Sequence, residues 1–209
     1  MKKKICVLIS ILLIAFIAVC IFVLTGSAQR FNGFVYSRVA MMASPAVTSM
    51  MKIVSNVGDW LVYVPIAILL LSIPKTRYRA GIPAAFVLAA SATGNIILKQ
   101  IFHVARPDVH RLISVTGYGF PSGHAMNGTA FIGIIAYLLS GYFDKKELKA
   151  AITASFVIFM LLMGVDRVYL GVHSATDVIA GYLCGLIIML SAVLIINASP
   201  ETTPDCSYI

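Results

Sequence analysis

The sequence predicts an all-α fold, a polytopic membrane bundle of about six transmembrane helices, and three observations carry that reading. Hydrophobic residues make up 60% of the 209 and charged residues 11%, against about a quarter charged in an ordinary soluble domain. The apolar residues gather into runs close to the roughly 20 that a helix needs to cross the hydrocarbon of a bilayer. The basic residues, which bring the net charge to +8, sit in clusters between those runs and form no stripe on a polar face. Composition therefore excludes a soluble domain, a disulfide scaffold, a disordered chain and a coiled coil. No nucleic-acid partner is implied; the implied partner is the lipid bilayer.

The first run is Ile5 to Leu24, preceded by Lys2-Lys3-Lys4. It competes with a cleavable signal peptide, since Gly26-Ser27-Ala28 offers small residues, but it exceeds the roughly 7–15 residues of a signal's apolar region and is read as a retained helix. The further spans expected are Trp60 to Ile73, Ala80 to Phe102, His124 to Tyr142, Leu148 to Val165 and Ser174 to Asn197. The second of the six is short for a crossing and is expected to begin earlier, near Val54. Gln29 to Asp59 mixes Phe31, Phe34, Met41, Met42, Met50 and Met51 with Ser and Arg, an amphipathic pattern expected to lie along the outer interface. Residues 1–198 are read as a single transmembrane domain, and Ser199 to Ile209 as a disordered tail. Cys6, Cys20 and Cys184 lie within apolar runs and Cys206 in the tail, with no paired spacing, so they read as small fillers.

Loop charge sets the orientation. With the N-terminus inside, Lys2, Lys3, Lys4, Lys75, Arg77, Arg79, Lys145, Lys146 and Lys149 are cytoplasmic, against Arg30, Arg38, Lys52, Lys99, Arg106, Arg111 and Arg167 outside. The bias of nine to seven becomes nine to four once Lys99, Arg106 and Arg167 are set aside as functional. Both termini are then cytoplasmic.

Three stretches concentrate the polar chemistry. Lys99-Gln-Ile-Phe-His-Val-Ala-Arg106-Pro107 closes the third helix, Pro121-Ser122-Gly123-His124 opens the fourth, and Arg167-Val-Tyr-Leu-Gly-Val-His173-Ser-Ala-Thr-Asp177 enters the sixth. Each has a plain structural explanation when taken alone: Lys99 could snorkel, Arg106-Pro107 could stop a helix, Ser122 could cap one, and His173 with Asp177 could be a routine same-face pair. Together those explanations fail, because the topology, drawn without these motifs, puts all three on one side. Ionisable groups are expensive in a membrane, so their convergence marks a functional site. Three cations and a helix N-terminus suit a phosphate, two histidines supply a nucleophile and an acid, and a carboxylate one turn from His173 can hold its other ring nitrogen.

At these residues the sequence resembles the type 2 phosphatidic acid phosphatase family of membrane lipid phosphatases, whose pattern is Lys-x6-Arg-Pro, Pro-Ser-Gly-His and Ser-Arg-x5-His-x3-Asp. The match is in order and spacing and covers roughly Ala80 to Asn197. It departs at one position, where Asp166 stands for the Ser before Arg167. A carboxylate there cannot donate to phosphate, and the expectation is that it turns away or pairs with a cation such as Arg167.

The resemblance implies catalysis by His173, His124 and Asp177, with Lys99, Arg106, Ser122, Gly123 and Arg167 binding phosphate. His173 would form a phosphohistidine, Asp177 would fix its tautomer, and His124 would protonate the leaving group and then activate water. No Asp/Glu cluster could hold a magnesium pair, so neither metal nor other cofactor is expected. The substrate expected is a phosphate or pyrophosphate on a membrane lipid: undecaprenyl pyrophosphate, phosphatidylglycerophosphate or phosphatidic acid. The Lys-rich loops and compact size look bacterial, which favours the first two. A phosphotransferase using the same site, and a lipid-phosphate binding or transport protein, are the competing readings. Oligomeric state is not readable from these residues.

Overall fold

Unbroken apolar runs fold as helices in a membrane because every backbone N–H and C=O is then satisfied within the segment. The computed structural model describes residues 2–198, which contain nine α-helices and no strand; the expected disordered tail from Ser199 onward lies outside the described residues. The helices are α1 (Lys2–Leu24), α2 (Gln29–Ala40), α3 (Pro45–Val57), α4 (Trp60–Ser72), a short α5 (Pro74–Thr76), α6 (Ile82–Phe102), α7 (Gly123–Ser140), α8 (Lys146–Tyr169) and α9 (Ala175–Ile196). A π-helical turn, Arg77–Gly81, joins α5 to α6.

Among the described residues, five segments are long and apolar enough to cross a bilayer: Lys2–Leu24, Pro45–Ser72, Pro74–Phe102, Lys146–Tyr169 and Ala175–Ile196. The sixth expected span is α7. Its first two turns carry His124, Asn127 and Thr129, which dilute its hydropathy, and Ala125, Met126, Thr129, Ala130 and Phe131 are buried against other helices. A helix enclosed by protein need not be apolar all round.

Two expected boundaries move. The second span starts well before Trp60, since α3 and α4 run on through Gly58 and Asp59 as one 28-residue segment. The 13 residues of α4 alone would rise only about 20 Å, short of the roughly 30 Å hydrocarbon. The C-terminal half of the expected interfacial stretch is thus part of a span, and α2 is the part too short to cross. The fifth helix also passes Val165, so Asp166 and Arg167 lie on the last turn of α8.

α7 is the centre of the bundle, packed against α9 most extensively and also against α8 and α6, while α1 lies on α9. The α7–α9 approach depends on Gly181 and Gly185. A Cβ at Gly181 would come within 2.7 Å of the Ser122 carbonyl oxygen, and one at Gly185 within 2.6 Å of that of Met126. Small residues four apart are how membrane helices bring their backbones together. Here they bring the start of α7 against the start of α9. At the opposite end of the bundle, Ile5 packs in one cluster with Leu70, Leu138 and Ile196, and Tyr137 and Asn197 share hydrogen bonds. The Lys2–Lys4 and Lys75–Arg79 clusters therefore belong to the far end.

Candidate active site

The three motifs meet at one end of the bundle because the connections are tied by backbone and side-chain hydrogen bonds. The Ser122 amide donates to the Asp177 carbonyl at 2.9 Å, joining the α7 and α9 starts, and the Gly119 amide donates to the Val104 carbonyl at 2.8 Å. Asn95 on α6 donates to the Pro121 carbonyl at 3.1 Å. Lys99, on the last turn of the same helix, donates to the Tyr118 carbonyl at 2.6 Å.

Arg106 is fixed by a fan of acceptors. Its Nε donates to the Gly117 carbonyl at 3.0 Å, Nη2 to that of Thr116 at 3.0 Å and Nη1 to that of Val172 at 2.8 Å. Nη1 also lies 3.2 Å from His173 Nε2. Because a guanidinium only donates, this contact makes Nε2 the acceptor and leaves the ring proton on Nδ1. Nδ1 faces Asp177 Oδ2 at 3.5 Å. That is long for a hydrogen bond, and Nδ1 has no other partner, so the pair is aligned but loose.

His173 is 5% exposed and Asp177 2%. The His173 pKa is pushed down to about 4, chiefly by burial, with Asp177 opposing the fall and Arg106 and Lys99 adding to it. The imidazole is thus neutral near pH 7, and its Nε2 lone pair, which accepts from Arg106 Nη1, becomes a nucleophile when that guanidinium turns to a phosphoryl oxygen. Asp177 also accepts from the Ser174 amide at 2.8 Å, so one carboxylate caps α9 and aligns His173.

Ser122 is the N-cap of α7 and is fully buried, and its hydroxyl has no protein partner. Gly123 and His124 follow at the first turn, where helix N–H groups are open to an anion. His124 lies within electrostatic reach of Arg167, His173 and Arg106. Every residue expected at the site therefore lies at this end of the bundle.

Arg167 is 2% exposed and takes Asp166 in a two-pronged pair, Nε to Oδ1 at 2.7 Å and Nη2 to Oδ2 at 2.9 Å. Asp166 thus braces Arg167, and the pair uses two of the five guanidinium N–H donors, leaving three for other acceptors. Serine cannot replace that anion. Asp166→Ser is expected to cost about 3–5 kcal/mol of stability by stranding a buried cation. It is also expected to raise KM for a phosphorylated lipid more than it changes kcat. Melting temperature and steady-state kinetics check this, and a fall in KM would contradict the bracing role.

One residue near the site was not singled out in the sequence. Asp59, the N-cap of α4, lies 3.5 Å from His124 Nε2 through Oδ2. Its partner is 65 positions away and no local pattern connects them; the only signal was an isolated carboxylate at the mouth of an apolar run.

The sequence model of the PAP2 superfamily matches residues 80–201, which contain all three motifs. The chain belongs to the PAP2 superfamily. Two curated relatives resemble it over most of their length. It is similar to phosphatidylglycerophosphatase B of Bacillus subtilis (strain 168), 29% identical over 169 residues that span 78% of this chain and 82% of that protein. It is also similar to the undecaprenyl-diphosphatase of Sulfolobus acidocaldarius, 29% identical over 199 residues, 91% of this chain and 92% of that one. In fold it matches the crystal structure of a transmembrane PAP2 type phosphatidylglycerolphosphate phosphatase from Bacillus subtilis, with a TM-score of 0.85 at 23% identity over 93% of this chain and 98% of the other. The shared plan is a multi-pass membrane bundle.

Proposed function

We propose that this membrane-embedded lipid phosphatase hydrolyses a phosphate monoester or pyrophosphate on a membrane lipid through a phosphohistidine on His173. The observation that carries the reading is the setting of that one ring, with Nε2 beside Arg106 and Nδ1 towards Asp177. Nε2 attacks phosphorus as the bond to the leaving oxygen breaks, and His124 gives that oxygen a proton. Asp177 stabilises the imidazolium-like charge that develops. Water then attacks phosphorus, His124 takes its proton, and the P–N bond breaks to release inorganic phosphate. Lys99, Arg106, Arg167, the Ser122 hydroxyl and the Gly123 amide neutralise the phosphoryl oxygens, where most of the rate enhancement arises.

A lipid substrate is supported by apolar surface beside the site. A groove between α2, α8 and α9, lined by Phe31, Val35, Val168, Val178 and Tyr182, reaches Ala175, two positions before Asp177. Because the two relatives above are named for phosphatidylglycerophosphate and undecaprenyl diphosphate, these lipids head the candidate substrates, with phosphatidic acid third. The site is proposed to face outward, away from the cytoplasmic termini and lysine clusters.

Purified protein assayed against the three lipids in mixed micelles should release inorganic phosphate from at least one. Release from none, or transfer of phosphate to another lipid without free phosphate, would overturn hydrolysis. For the outward face, the native cysteines are replaced by alanine and single cysteines placed at Ser114 and Lys75, both exposed. An impermeant thiol reagent should label Ser114→Cys in intact cells and Lys75→Cys only after permeabilisation. The reverse pattern would put the site in the cytoplasm.

A further inference from the structure

His124 must be protonated when it serves the leaving group, yet its surroundings work against that. Burial of the ring comes first, Arg167 at the end of α8 and His173 and Arg106 in the connecting segments add to it, and the Ser55 backbone opposes it. An imidazolium among guanidinium groups is disfavoured by repulsion between like charges. The group of opposite sign in contact with it is Asp59, whose Oδ2 lies 3.5 Å from Nε2. The pair is about a quarter exposed, 25% at His124 and 27% at Asp59, at the mouth of the site rather than sealed beneath it.

Asp59 is held there by local structure and by packing one turn further on. Its Oδ1 accepts from the Leu61 amide at 2.9 Å, capping α4, which leaves Oδ2 for the histidine. Tyr63, four residues on and therefore on the same helix face, is buried against Phe131 of α7 with ring centroids 5.0 Å apart. Gly58 abuts Met163, where a Cβ would meet the sulfur at 2.7 Å, and Gly128 of α7 abuts the same methionine. The bend between α3 and α4 is thereby seated on α7 and α8, and it presents the carboxylate to the first turn of α7.

We propose that Asp59 is a positioning residue for the general acid: it orients the His124 ring and stabilises its protonated form as the proton passes to the leaving oxygen. The inference rests on the hydrolytic reading above and adds a second carboxylate–histidine pair to it, with Asp177 serving the nucleophile and Asp59 the acid. Asp59 itself neither bonds to substrate nor exchanges its proton.

The decisive readout is dependence on the leaving group. An alkyl phosphate such as dioctanoyl phosphatidic acid needs a proton on the departing oxygen, whereas p-nitrophenyl phosphate releases a stabilised anion without one. Asn is as good an N-cap as Asp, so Asp59→Asn keeps the α4 cap and removes only the charge. It should lower kcat on the alkyl substrate on the order of 10–100-fold, within the range general acids contribute, and leave p-nitrophenyl phosphate within about 3-fold. Asp59→Glu, which keeps the charge, should restore part of the alkyl activity, and His124→Gln should show the same selectivity, more strongly, in first-turnover release of the leaving group, the step that precedes the hydrolysis of the intermediate it also slows.

Equal losses on both substrates, no loss on either, or an Asp59→Glu variant no better than Asp59→Asn would each overturn the proposal. An unfolded Asp59→Asn variant alongside a folded but inactive Asp59→Glu would do the same. Failure of the underlying reading looks different: wild-type protein would release no phosphate from the alkyl substrate, or His124→Gln would show no leaving-group selectivity in the first turnover.

Discussion

Phosphate release by His173→Ala is expected to fall at least about 10⁴-fold, to the residual rate that phosphate binding alone can sustain. The size of the loss follows from placement. His173 Nε2 is the nucleophilic atom that Arg106 and Asp177 together orient, and His124 sits in a different setting, beside Asp59 at the mouth. The substitution trims a buried ring next to Arg106, whose other three contacts go to backbone carbonyls, so the cation should stay and lipid phosphate should still bind. Binding by equilibrium dialysis with retained affinity, together with lost turnover, is the expected pair of results. Near-normal turnover would remove the covalent route.

Asp177→Asn is the second large effect, about 10²–10⁴-fold in kcat with a smaller change in KM. The carboxylate has two duties, and the substitution separates them. Asparagine oxygen can still accept from the Ser174 amide, now 2.8 Å from Oδ2, so the α9 start and its tie to Ser122 should persist and melting temperature should change little. The lost charge is what stabilises a protonated His173 in a buried place. A loss of stability matching the loss of activity would make Asp177 a cap and nothing more.

Much of this architecture was legible in the sequence because the membrane punishes ambiguity. Phe102 ends α6 and Ser122 stands at the N-cap position of α7, as the Lys-to-Pro and Pro-Ser-Gly-His stretches implied. Asp166 pairs with Arg167, as its awkward charge suggested. The α3–α4 span was harder to delimit, since Gly58 and Asp59 look like a loop and only packing against Met163 and Phe131 shows that the segment continues. The glycines at Gly181 and Gly185 were not singled out in the sequence, because which helix they admit is a tertiary fact. Asp59 was hidden for the same reason. A single carboxylate gains meaning only when the fold brings a histidine to it, whereas His173 and Asp177 announce themselves by lying one helical turn apart.

The covalent intermediate is the centre of the account, and trapping it is the most direct test. Purified protein is mixed with a lipid substrate carrying ³²P in the phosphoryl group to be transferred, quenched within milliseconds in alkaline detergent, and separated from lipid. Label should remain on wild-type protein, survive base and be released by acid, as a phosphoramidate requires, and a peptide containing His173 should carry it. His124→Gln, slowed in hydrolysis of the intermediate, should retain label on an aryl phosphate, and His173→Ala should retain none. Wild-type turnover with no protein-bound label at any time, or label unaffected by His173→Ala, would contradict the mechanism.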